Sequence, residues 1–260
     1  MTSTVFPIPF EAASCASCRD KAQLPFDFTM AFQPIMDLEL ERPFGYEALV
    51  RGVDGQSAAT VLSWVDDAHR YRFDQACRVK AIELASRLGL TDLPGCRLSI
   101  NFLPNAVYRP ETCIRATMEA AATFGFPHDR LMFEVTEGEQ LASAEHLQSI
   151  FDVYRRQGLI TAIDDFGAGY AGLNLLARFQ PHVLKIDMEL IRNINLDPVR
   201  QAIVCGIVLV CQRLSIDIVA EGIETGEESA FLKSVGVRYQ QGYLFARPGW
   251  ETLPLSSVGR

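Results

Sequence analysis

Residues 131–165 read LMFEVTEGEQLASAEHLQSIFDVYRRQGLITAIDD, and this stretch decides the fold class. It opens on a short apolar run at 131–135 and continues over 141–156 with apolar residues at helical spacing. Gly158 follows as a helix stop, and a second apolar run at 160–164 ends on adjacent aspartates. This is a strand–helix–strand unit. Glu134 lies in its first strand, with Glu137 just beyond, and Asp164 and Asp165 close its second.

The same alternation extends in both directions. Strand-like runs recur at 28–34, 45–50, 97–102, 131–135, 160–164, 183–187, 217–220 and 240–245, and helical spacing fills 73–88, 111–124, 141–156, 199–214 and 227–235. Gly89, Gly125, Gly158 and Gly236 follow four of those helices. Eight strands with intervening helices point to an α/β chain closed as a TIM-like (β/α)8 barrel, with an open doubly wound sheet as the alternative. Residues 1–25, rich in proline and small polar residues, form an N-terminal arm, and 26–260 form the domain.

Composition narrows the function classes. The chain has 260 residues, a net charge of −8 and 48% hydrophobic residues, which suits a folded domain. An acidic chain without a Lys/Arg cluster excludes a nucleic-acid polymer as partner. No apolar run approaches the roughly 20 residues of a bilayer span, and no leader-like segment opens the chain, so we expect a cytoplasmic protein with no membrane contact. The seven cysteines suit a reducing compartment; Cys77, Cys96, Cys113, Cys205 and Cys211 sit in apolar runs as small core residues. Cys15 and Cys18 form a lone C-x-x-C without the second pair that zinc needs. The four histidines have no partner spacing, and no nucleophile triad or phosphate-binding glycine loop is present.

A barrel places its chemistry at the C-terminal ends of its strands. There the sequence sets Glu47, Asn101, Glu134, Asp164, Asp165, Lys185, Asp187 and Glu221, with Glu224 one turn later, Gln33 in the first strand and Gln241 in the last. Ionisable groups inside strand runs are costly unless paired or bound to cations. Carboxylates with one amide oxygen make a hard-oxygen set suited to Mg²⁺ or Mn²⁺. Two such ions sharing the Asp164–Asp165 pair would fit phosphodiester cleavage, and Lys185 could orient the attacking water or stabilise the developing charge.

The chain resembles the EAL domain family of cyclic-di-GMP phosphodiesterases. The resemblance rests on QPI at 33–35, YEALVRG at 46–52, SINF at 99–102, FEVTE at 133–137, IDDFGAGY at 163–170, LKID at 184–187, AEGIET at 220–225 and QGYLFARP at 241–248. It implies that the first barrel strand is antiparallel to the rest. It also implies that Glu47, Asn101, Glu134, Asp164, Asp165 and Glu221 hold two ions, with Asp164 bridging them. Lys185 and Gln241 would hold the reacting water, and Gln33, Leu49 and Arg51 would line the substrate site. Glu137 would anchor the loop after the aspartates, and Glu224 would be a supporting acid. The implied reaction opens cyclic di-GMP to linear pGpG, and the implied assembly is a homodimer. Two alternatives stay open: a catalytically silent receptor or interaction module, and a different cyclic dinucleotide. Ala168, Ala171 and Gly172 replace hydroxyl residues common in the family's loop, a change that bears on regulation.

Overall fold

The computed structural model describes residues 24–136, 144–169 and 172–255, so all of the N-terminal arm but its last two residues, and with it the cysteine pair, lies outside the described residues. The first half of the barrel is built from β1 (Phe28–Asp37), β2 (Arg42–Gly52), α1 (Ala58–Ser63), α2 (Arg70–Arg87), β3 (Arg97–Asn101), α3 (Pro110–Cys113), α4 (Arg115–Thr123) and β4 (Leu131–Thr136). The second half comprises α5 (Ala144–Arg156), β5 (Ile160–Phe166), α6 (Gly172–Arg178), β6 (Val183–Ile186), α7 (Met188–Ile191), α8 (Pro198–Leu214), β7 (Asp217–Ala220), α9 (Gly226–Ser234) and β8 (Tyr239–Gln240). A two-residue β9 (Gly249–Trp250) pairs with β1.

Strands β2 to β8 run parallel in chain order, and β1 closes the ring antiparallel to both β2 and β8. The expected barrel with an antiparallel first strand is therefore what the chain forms. The closing seam is short, since β1 and β8 pair only at Met36–Gln240 and Asp37–Tyr239. A forked ion pair reinforces it: Arg238 donates from Nε to Asp37 Oδ1 at 2.8 Å and from Nη2 to Oδ2 at 2.6 Å.

Side chains alternate between the two faces of each strand. Outward-facing Leu98, Ile100, Phe133, Val135, Ile163, Leu184 and Ile186 are buried in the shell shared with the helices. Full burial of each such side chain stabilises the fold by about 1.5–3 kcal/mol. Inward-facing Ile35, Met132, Ala162, Val183 and Val219 fill the lower barrel. One alternation further toward the mouth, the inward positions become Glu134, Asp164, Lys185 and Glu221, and on the reversed strand β1 Ile35 gives way to Gln33. The interior is thus an apolar layer capped by a polar one.

Several boundaries differ from expectation. The run at 240–245 is a strand only to Gln240, and residues beyond it turn tightly around Ile223. Gln241 N–H donates to the Ala220 carbonyl at 2.8 Å, while Ile223 N–H donates back to Gln241 O at 3.1 Å. Gly242 permits this approach, because a Cβ there would lie 2.1 Å from the Ile223 carbonyl oxygen. The helix expected over 111–124 is interrupted at Ile114. Strand β6 stops at Ile186, and Asp187 instead caps α7 by accepting from Glu189 N–H at 2.8 Å. Cys205 is exposed, whereas Cys77, Cys96, Cys113 and Cys211 are buried. The four glycines placed as helix stops all take positive φ. Among the described residues no helix is long and apolar enough to cross a membrane.

Candidate active site

The polar layer converges on Lys185, which β6 carries into the barrel axis with no exposed surface. Its Nζ lies 2.6 Å from Glu221 Oε1, 3.0 Å from Glu134 Oε2, 3.0 Å from Asp164 Oδ1 and 3.3 Å from Glu47 Oε2. Four strands therefore each contribute, or lead directly into, one carboxylate around a single ammonium. Asn101 Nδ2 donates to Glu47 Oε1 at 3.1 Å. Gln241 Nε2 donates to Glu47 Oε2 at 2.8 Å and to Gln33 Oε1 at 3.3 Å, and Gln33 Nε2 donates to the Ala246 carbonyl at 3.1 Å.

Asp165 joins this site through a bulge. Ile163 pairs with Leu184 and Phe166 with Ile186, so β5 spends three steps where β6 spends two. Strict alternation would send neighbouring aspartates to opposite faces; the extra residue re-aims one of them. Asp165 takes φ of 54°, a left-handed conformation that aspartate tolerates better than most residues. Its N–H donates to Asp164 Oδ1 at 3.0 Å.

The loop after β7 is pinned as firmly. Thr225 and Glu228 form a reciprocal capping box at the start of α9, and Glu228 also accepts from Glu224 N–H at 3.0 Å and Asn193 N–H at 2.7 Å. Such caps stabilise by roughly 1 kcal/mol, and here they fix the segment immediately after Glu221. The T-x-x-E spacing at 225–228 carries that signal in the sequence, although these residues lie outside the expected site.

Burial and crowding shape the ionisation of the ring. Burial pushes the Glu134 carboxyl up to about 8, Lys185 partly offsetting it while Glu47 and Asp164 add to it. Burial and then Asp164 push Asp165 to about 6. Burial, with Asp164 and Glu47, holds Glu221 well above the carboxylate range. Burial alone would lower Lys185, yet Asp164, Glu134, Glu221 and Glu47 hold it well above an ordinary lysine, so it stays protonated.

Two sets of carboxylate oxygens, Glu47–Glu134–Asp164 and Asp164–Asp165–Glu221, each lie within 4.8 Å of one another and could hold a metal ion, with Asp164 common to both. The donors fit a hard divalent cation: all are oxygens. Glu134 Oε1 is buried and has no hydrogen-bond partner among the described residues. Once cations displaced the protons that burial favours, five carboxylates against one ammonium would carry four negative charges, the number two divalent ions balance.

The remaining expected residues fall in different places. Leu49 and Arg51 follow Glu47 on the same face of β2 and are partly buried, with Arg51 Nη1 donating to the Val50 carbonyl at 2.7 Å. Glu224 is exposed and accepts from Arg192 Nη2 at 2.7 Å, away from the lysine-centred cluster. Asp187 serves as a helix cap. Glu137 and Ala171 lie outside the described residues.

Known proteins share this fold. The sequence profile of the EAL domain matches residues 21–248. The solved structure of a standalone EAL protein from Vibrio cholerae O395, in a c-di-GMP-bound form, superposes with a TM-score of 0.87 at 53% identity, covering 91% of this chain and 98% of that one. Klebsiella pneumoniae BlrP1, solved as a manganese/cy-diGMP complex, gives a TM-score of 0.81 at 38% identity over 88% of this chain and 58% of that one. The blue light- and temperature-regulated antirepressor BluF of Escherichia coli is 32% identical over 224 residues, 86% of this chain and 55% of BluF. Other relatives, aligned over shorter stretches, are named cyclic di-GMP phosphodiesterases. The chain spans about half the length, or less, of the first of these curated relatives. With the profile matched from before β1 to the turn after β8, the chain belongs to the EAL domain family.

Proposed function

We propose that this chain is a divalent-cation-dependent phosphodiesterase that hydrolyses cyclic di-GMP to linear pGpG. The observation that carries the reading is the pair of carboxylate triads sharing Asp164 around Lys185. The structures of relatives with c-di-GMP, and with manganese in BlrP1, support the substrate class and the cation. Glu47, Asn101, Glu134, Asp164, Asp165 and Glu221 would hold two Mg²⁺ or Mn²⁺ ions. When bound, such ions make water a stronger nucleophile near neutral pH and stabilise charge on the attacking and leaving oxygens.

The chain's own groups supply the rest. Lys185, held protonated, cannot act as a base; it orients the water oxygen and offsets charge on the phosphoryl oxygens. Gln241, tied through Nε2 to Glu47 and Gln33, keeps a buried Oε1 without a partner among the described residues, and that oxygen can accept from the same water. Arg51 and Leu49 would contact the nucleotide, and Gln33 would border it. Water oxygen adds to phosphorus, the bond from phosphorus to one 3′ oxygen breaks, and that oxygen leaves with a proton, giving one 5′-phosphate and one 3′-hydroxyl. Fixing water and phosphate in line lowers the barrier further.

The implied homodimer belongs to the same reading, and exposed Val199, Ile203 and Leu209 along α8 offer apolar surface for it. Incubating the purified chain with cyclic di-GMP and Mg²⁺ or Mn²⁺, then separating the nucleotides, tests the activity. Appearance of pGpG is expected. Substrate that binds but stays intact would favour a silent receptor.

A further inference from the structure

Helix α2 carries a charge cluster that the chemistry above does not use. Arg78 is wholly buried, and its Nη2 pairs with Asp74 Oδ2 at 2.8 Å, with both side chains at most 1% exposed. Its Nη1 donates to the Tyr154 hydroxyl at 2.7 Å. The guanidinium carbon lies 5.2 Å from the ring centre of Phe133, 5.4 Å from that of Phe102 and 5.8 Å from that of Tyr154. Asp74 Oδ1 accepts from the Leu103 backbone N–H at 2.9 Å.

Apart from Tyr154 on α5, these partners are close sequence neighbours of inward site residues. Phe133 precedes Glu134, and Phe102 and Leu103 follow Asn101. The Phe102 N–H donates to the Glu134 carbonyl at 3.0 Å, so the ends of β3 and β4 are joined at the front and gripped from behind. A buried ion pair is a poor source of stability, because well-packed apolar residues of similar volume usually serve as well or better. Here it supplies geometry: Asp74 accepts a backbone N–H at the end of β3, and Arg78 holds that carboxylate from the other side while lying against the rings of Phe102 and Phe133.

We propose that Asp74 and Arg78 are positioning residues for the cation site, fixing the ends of β3 and β4 so that Asn101 and Glu134 stand at the separation a divalent ion requires. This rests on the cation-dependent reading given above. Groups that orient ligands in this way typically contribute 10- to 100-fold to metal affinity.

The test measures Mn²⁺ dissociation constants on the full chain without substrate, from the electron paramagnetic resonance signal of free Mn²⁺. Asp74→Ala and Arg78→Met should weaken binding about 10- to 100-fold. Asp74→Asn keeps an acceptor for the Leu103 N–H and should retain most of the affinity, and Arg78→Lys should fall between. Ile82→Ala, a fully buried position on the same helix, serves as the control: it lowers the melting temperature but should leave Mn²⁺ affinity unchanged. Wild-type affinity in folded Asp74→Ala and Arg78→Met would overturn the proposal, as would an equal loss in Ile82→Ala. If those two fail to fold, wild-type affinity in Arg78→Lys overturns it. Absence of Mn²⁺ binding by the wild-type chain would instead remove the cation reading on which the proposal stands.

Discussion

Replacing Lys185 by methionine takes the single ammonium out of a ring that it touches on four sides at 2.6–3.3 Å. Methionine keeps the length and most of the volume, so the loss is electrostatic. Removing one partner of a buried ion pair costs about 3–5 kcal/mol, because charge is left buried without compensation. The ring can relieve part of this by binding protons, since burial already raises Glu134 to about 8 and Glu221 above its ordinary range. We therefore expect the lower end, about 3 kcal/mol near pH 8, which for a chain of this size lowers the melting temperature by roughly 6–12 °C. The sign with pH follows from linkage. A carboxyl whose folded pKa is raised contributes stability fully below its unfolded value and loses it as pH rises through the folded value. The variant's carboxyls rise further, so its deficit should be small near pH 5 and grow toward pH 8. Mn²⁺ at 100 times its dissociation constant should return about 2.7 kcal/mol. Turnover should fall by about 10²–10³ with the orientation of water and the charge stabilisation lost. Circular-dichroism melts between pH 5 and 8, with and without Mn²⁺, read the stability terms. A variant that melts with the wild type near pH 8, with the same pH profile, would refute the idea that the ring's charge is what Lys185 balances.

Three further outcomes are expected. Glu47→Ala, which removes an oxygen donor that also accepts from Asn101 and Gln241, should abolish pGpG formation while the far-ultraviolet spectrum is kept; wild-type turnover would sink its assignment. Gly242→Ala drives a Cβ to 2.1 Å from a backbone oxygen and should cost about 1–3 kcal/mol or more in urea unfolding, because backbone cannot step aside as a side chain can. Asp37 is raised by burial, but Arg238 and the N–H groups of Leu40 and Glu39 prevail and hold it below its ordinary value. Its contribution is thus intact above about pH 4 and is lost as pH falls through the folded value, so Asp37→Asn should flatten the acid limb of a stability–pH curve while lowering stability at neutral pH.

The sequence by itself determined the alternation of strands and helices, because each element repeats its own apolar period and glycines mark where helices end. It also determined which residues share the polar layer. Glu134, Asp164, Lys185 and Glu221 each stand two positions beyond an interior apolar residue, and a two-residue period is a property of any strand. The antiparallel first strand came from family likeness, since no local pattern encodes strand direction. What only the tertiary structure decided are the places where two distant segments constrain each other. The β5 bulge that brings Asp165 beside Asp164 is set by pairing with β6, and the early end of β8 by the close approach of Gly242 to Ile223. The convergence of four carboxylates on one lysine depends on closure of the ring, and closure is a property of the whole sheet. Asp74 and Arg78 read locally as an ordinary charged pair one helical turn apart. Only their burial behind Phe102 and Phe133 shows that they grip the strand ends that carry the site.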